Sequence, residues 1–256
     1  MNAWKTLYLK EIREHRTLFI LLPLVTAFLE IIAVLSFHEA QVLPSPHLLW
    51  SFVPYAWLFV LPFVLGHSFT QEVKGQTHYL LLSLPVPRAG VFAAKAAMAA
   101  TLGIILYALT SAGLIAVLGE LRALAARAAN VSISSFTAVD VLVLNGVVYL
   151  SAMGILLGIA GGIAGLRLVV RRFTGLASAA FAIFVLYWYL RTLPEVLALP
   201  AILGTYELSL WIESPSVLSV RPDPIEVNFM FPAYTIAVGL ASMGLGMWLF
   251  ERQAEA

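Results

Sequence analysis

Residues 91–118 read VFAAKAAMAATLGIILYALTSAGLIAVL, a run whose only charge is Lys95. About 20 apolar residues cross the ~30 Å hydrocarbon core of a bilayer, so this run is long enough to span one. The span begins near Lys95 if that amine reaches the headgroups on its aliphatic stem. Five further apolar runs, 18–35, 50–66, 141–166, 173–190 and 229–250, meet or approach the same length. The second holds Pro54 and Pro62, which a membrane helix tolerates when neighbours satisfy the freed carbonyls. Residues 193–220 are also apolar, but Pro194, Pro200, Gly204, Glu207, Glu213 and Pro215 interrupt them. The expectation for 193–228 is an external re-entrant segment of short helices, dipping into the membrane surface or packed on the bundle, and not a seventh span.

Composition agrees. Hydrophobic residues make up 61% of the 256, charged residues 11%, and the mean hydropathy is +0.92. A soluble domain carries about 25% charge, so lipid has to solvate much of this surface. The expected fold is an all-α polytopic membrane protein, one domain over 1–256 with six transmembrane helices. Cysteine is absent, which excludes disulfides, a thiol nucleophile and thiolate metal sites. A net charge of +1 gives no reason to expect a nucleic-acid partner.

Orientation follows from the distribution of lysine and arginine between alternate loops. With the N-terminus inside, the inner face holds Lys5, Lys10, Arg13, Arg16, Lys74, Arg88, Lys95, Arg167, Arg171, Arg172 and Arg252. The outer face holds only Arg122, Arg127, Arg191 and Arg221. The eleven-to-four split predicts both termini inside. In residues 1–16, Trp4, Leu7, Tyr8 and Ile12 share one helical face while most charges lie elsewhere, the pattern of an interfacial helix. A cleaved signal peptide is the competing reading; the five later spans and the lack of a small-residue cleavage site after Leu35 oppose it.

The cytoplasmic loop 69–88 reads FTQEVKGQTHYLLLSLPVPR. Its apolar run 79–84 is too short to cross a membrane, and Pro85 and Pro87 bound it, as where a helix ends. Such a segment either docks in a groove on another protein or tucks against its own bundle.

An acid, then Gly and Thr, then a leucine-rich turn, then Leu84-Pro85-Val86-x-Arg88: this order resembles the cytoplasmic loop of type-2 ABC exporter permeases. The stretch Lys10-Glu11-x-Arg13 resembles the amphipathic N-terminal helix of the same family, and the six spans with a long external segment between the last two are similar too. The chain departs from that pattern where Gln76 separates Gly75 from Thr77, and where Tyr79 occupies a position that is often acidic. The resemblance implies that the loop is a short coupling helix seated on a separate ATPase subunit. Glu72, Gly75, Thr77, Leu82, Leu84, Pro85 and Arg88 match the motif and take that role. It further implies two ATPase subunits that bind ATP and Mg, a second permease subunit (identical or not), and a multi-pass place in the cytoplasmic membrane of a bacterium or archaeon.

No cofactor is expected in this chain, and no enzymatic activity. A phosphate-binding loop needs a Gly-Lys pair, and none of Lys5, Lys10, Lys74 and Lys95 follows glycine. There is no HExxH or GxSxG, and His15, His38, His47, His67 and His78 show no ligand spacing.

Inside the spans, Gly154, Gly158 and Gly162 recur every four residues, with Gly161 and Gly165 beside them. That spacing lets a second backbone approach closely, within the subunit or across a dimer. Glu30 is the one ionisable residue deep in a span; such a group marks a substrate or proton path unless it reaches the headgroups or an outer arginine. Asn145 and Asp140 raise the same question. Two other classes make different demands on the sequence. A stand-alone channel or secondary transporter would show an inverted pair of Gly/Pro-broken helices. A lipid-modifying enzyme would need catalytic partners for Arg167, Arg171 and Arg172. The sequence supplies neither. The expected cargo is amphipathic or lipid-like.

Overall fold

A computed structural model describes residues 3–39, 53–74, 87–127, 132–133, 137–170, 172–209, 212–213 and 225–252. The helices are α1 (Ala3–Glu14), α2 (Arg16–Glu39), α3 (Trp57–Lys74, entered through a 3-10 turn at Val53–Ala56) and α4 (Arg88–Arg127). A longer run follows, made of α5 (Ala138–Asn145), a π-helical turn (Gly146–Leu150) and α6 (Ser151–Val169). Then come α7 (Thr174–Leu197) and α8 (Met230–Arg252). Six of these stretches are long and apolar enough to cross a membrane: α2, α3 with its 3-10 turn, α4, the α5–α6 run, α7 and α8. Helices keep most backbone bonding within each segment, the condition a hydrocarbon core imposes; Pro23, Pro62 and Pro194 interrupt it locally.

The bundle is apolar on its surface as well as in its core. Ile20, Leu24, Phe28, Ile31 and Leu35 of α2, and Leu176, Ile183, Phe184 and Leu190 of α7, are exposed. The buried core is drawn from the opposite stripes: Leu22 of α2, Leu61 and Leu65 of α3, Leu102 and Leu106 of α4, Tyr149 and Leu157. The tightest seam lies between α6 and α8. A Cβ on Gly158 would fall 2.2 Å from the Gly239 carbonyl oxygen, and one on Gly165 would fall 2.0 Å from that of Gly246. Only glycine permits such an approach.

Three expectations change. α3 does not end at 66 but runs on to Lys74, so residues 69–74 extend a membrane helix before the loop proper begins. Pro194 does not stop the fifth span: α7 continues to Leu197 with Pro194 inside it, because this end is exposed and the carbonyls that the ring frees can meet solvent. In 193–228 the described residues after α7 form strands, not short helices. β1 (Ser132–Ile133) pairs antiparallel with β3 (Ile212–Glu213), and β2 (Thr205–Leu208) pairs antiparallel with β4 (Ile225–Asn228). The prolines and glycine that break helices there leave β-branched and aromatic residues between them, which suit strands. Leu208 of β2 is buried against Leu118 of α4 and Val141 of α5. Beside it, Tyr206 donates to Asp140 Oδ1 at 2.7 Å, and that bond raises the pKa of the phenol. Asp140 also closes a capping box with Thr137 at the start of α5. The strands form a small cap over one end of the bundle.

Candidate functional site

The cap is remote from the N-terminus. At the other end of the bundle, four elements meet at one buried charged point. α1 lies along α4, with Leu7 against Val91 and Ala94 and the Tyr8 hydroxyl 2.8 Å from Thr101 Oγ1. One turn beyond Leu7, Glu11 enters the same seam. Lys95 Nζ, 1% exposed, donates to both oxygens of Glu11, itself 2% exposed, at 2.9 Å. Its third bond goes to the Ser68 carbonyl at 3.2 Å, so all three ammonium protons are used. The Phe69 ring lies 5.6 Å away and adds a cation–π contact. Phe69 of α3, Phe92 of α4 and Phe250 of α8 then close a cluster with centroid separations of 5.0–6.1 Å.

This corrects one expectation: Lys95 does not snorkel to headgroups, because α1 delivers a carboxylate to it. Leu7 and Tyr8 of α1 pack on α4, while Lys5, Arg13 and Glu14 remain exposed. In the sequence, Glu11 is legible only as part of a motif. Its spacing from Leu7, i to i+4 on one face, was the signal that it turns inward.

The node sits at the root of 69–88. α3 ends at Lys74 and α4 begins at Arg88. Of the motif residues, Gly75, Thr77, Leu82, Leu84 and Pro85 lie outside the described residues. Glu72 lies in the last turn of α3, its side chain outside them. Arg88 opens α4, and its Nη1 donates to the Glu251 carbonyl at 3.4 Å, joining the loop's far end to the end of α8.

Glu30 lies elsewhere, toward the capped end. It is 5% exposed, and neither carboxyl oxygen has a hydrogen-bond partner among the described residues. It packs on Gly113 of α4, where a Cβ would stand 2.0 Å from Oε2. No outer arginine reaches it among the described residues. Nearby, Tyr55 donates to Asn145 Oδ1, and Asn145 Nδ2 donates to Ser111 Oγ at 2.6 Å. The buried Tyr149 ring lies 5.8 Å from both Tyr55 and Tyr107. The π-helical turn follows Asn145 directly; such turns recur at functional sites. Gly154 faces Ile236, Gly158 faces Gly239, and Gly162 meets Phe181 and the Ser242 carbonyl, so all three serve packing within the chain.

A helical bundle with six stretches long and apolar enough to cross a membrane, and a buried charge node at one end, defines the class: a polytopic membrane protein. The chain belongs to the ABC-2 family of transporter proteins, whose model matches residues 13–160, more than half of its length. It is therefore a transporter permease, the membrane subunit of an ABC transporter. The matched stretch runs from α1 into α6 and includes 69–88. No curated protein and no solved structure matches the chain.

Proposed function

We propose that this chain is the permease half of an ATP-driven exporter, paired with a second permease subunit and driven by two separate ATPase subunits that bind ATP and Mg. Residues 71–88 are its coupling segment, and both termini lie on the ATPase side in the cytoplasm. The observation that carries this reading is the Glu11–Lys95–Ser68 node. A loop that pushes on the membrane domain needs stiff attachment at both of its ends. Here α3, α4 and α1 are bolted together through one ammonium group, and Arg88 ties the same region to α8. Displacement of the loop is thereby delivered to four helices together. The cargo is an amphipathic or lipid-like molecule.

Leu82 and Leu84 supply the docking surface. Burying a leucine is worth about 1.5–3 kcal/mol, so two can dominate a small interface, with Glu72 and Arg88 aligning it as rim charges. Replacing Leu82 and Leu84 by Ser is expected to leave the protein inserted and folded while releasing the ATPase or uncoupling its turnover from transport. The measurement is ATPase co-purification together with transport in reconstituted vesicles. Normal values of both in the double variant would remove the coupling assignment and favour a stand-alone channel or secondary transporter.

A further inference from the structure

Between α3 and α6 runs an open groove of about 860 Å³. Its long walls are apolar, formed by Pro62, Phe63, Leu156 and Ile163, while His67 and Arg167 stand toward one end. Leu156 to Arg167 is eleven residues, about 16 Å along a helix, and half of a ~30 Å hydrocarbon core is about 15 Å. The groove is one leaflet deep. It is also open sideways: Phe63 on its lip is 76% exposed. It reaches the backbone of α3, since a Cβ on Gly66 would meet nothing within 4 Å.

The polar end is built. Arg167 Nε donates to Ser178 Oγ at 3.2 Å, and that hydroxyl is fixed by its own bond to the Thr174 carbonyl at 2.7 Å. This aims the guanidinium and leaves its two terminal nitrogens without a hydrogen-bond partner among the described residues. No carboxylate among the described residues pairs with it. A planar fork of donors matches a phosphate oxygen pair, and basic pockets between membrane helices on the cytoplasmic side take acidic headgroups.

We infer that this groove is a binding site for one anionic phospholipid of the leaflet on the Arg167 side, its phosphate on Arg167 and one acyl chain along α3 and α6. The open guanidinium of Arg167 at one end and the leaflet-length apolar trough beside it, complementary to an acidic headgroup and an acyl chain, select this occupant. The site goes beyond the exporter reading and needs no ATPase.

The test uses the full chain purified without an ATPase, equilibrated with phosphatidylglycerol or with phosphatidylcholine of the same acyl chains, delipidated in detergent and assayed for retained lipid by native mass spectrometry. The wild type is expected to retain phosphatidylglycerol over phosphatidylcholine. Arg167→Gln should reduce that retention about tenfold or more, as loss of a charged hydrogen bond does. Gly66→Phe, which fills the trough from a position with open space, should displace both lipids while Arg167 remains. Absence of headgroup preference in the wild type overturns the inference, as does unchanged retention in both variants. A Gly66→Phe variant that keeps its lipid but loses its oligomeric state would assign the groove to a second copy instead. None of these readouts depends on coupling, so a failed Leu82/Leu84 experiment leaves them intact.

Discussion

Lys95 and Glu11 are a buried pair, and the energetics of such pairs are asymmetric. Removing both charges together is often nearly neutral, whereas removing one strands the other in a low dielectric at about 3–5 kcal/mol. Lys95→Met is therefore expected to lower the thermal or denaturant midpoint strongly, and a second change, Glu11→Met, to restore most of it. If the single and double variants unfold alike, the pair is not the source of the node's rigidity. Glu30 differs because it has no partner among the described residues to strand. Glu30→Gln keeps its shape against Gly113 and should leave stability within about 1 kcal/mol, the range of substitutions that disturb no packing or pairing. A transport role predicts altered substrate-stimulated turnover in that variant; turnover equal to wild type would leave Glu30 with packing alone.

At the scale of elements, the α6–α8 seam makes a paired prediction. Alanine exceeds glycine in helix propensity by about 1 kcal/mol, so Gly→Ala in an open helix position stabilises. Gly244 of α8 is such a position, with nothing within 4 Å of a Cβ. At Gly158 the added methyl would meet the Gly239 backbone, which cannot rotate away as a side chain does. Gly158→Ala should cost about 1–3 kcal/mol of overpacking while Gly244→Ala is neutral or stabilising, read as the melting temperature of each purified variant. Equal shifts would mean that the two helices separate easily. Spacing four apart placed these glycines on one face, but it did not name the helix that covers it. α8 lies far along the chain from α6, and a helix periodicity carries no information about its partner. The same limit hid the node: the carboxylate that holds Lys95 lies 84 residues away.

For the whole molecule, the proposed sides of the membrane rest on the bias of basic residues. Because the chain contains no cysteine, single cysteines introduced at 75–86 or 167–172 should label only from the cytoplasmic face. Those at 122–135 or 198–228 should label only from outside. External labelling in 75–86 would reverse the topology and with it the coupling assignment. The parallel course of α3 and α6 toward the Arg167 end fits an arrangement in which second and fourth spans descend to the same face.

Sequence alone determined that this chain folds as six membrane-crossing helices, since hydrocarbon permits only long apolar segments and leaves a span little freedom to be anything else. The motif at 69–88 likewise carried the family, because its residues are contiguous. Tertiary structure decided what contiguity cannot express. Hydropathy scores Lys95 identically whether its amine reaches water or a carboxylate; the docking of α1 on α4 made it a buried ion pair. Local breakers in 193–228 forbade long helices without specifying a replacement, and pairing across sixteen intervening residues between β2 and β4 made strands. Polar groups in an apolar interior are governed by their partners, and partners are fixed only when the chain has folded.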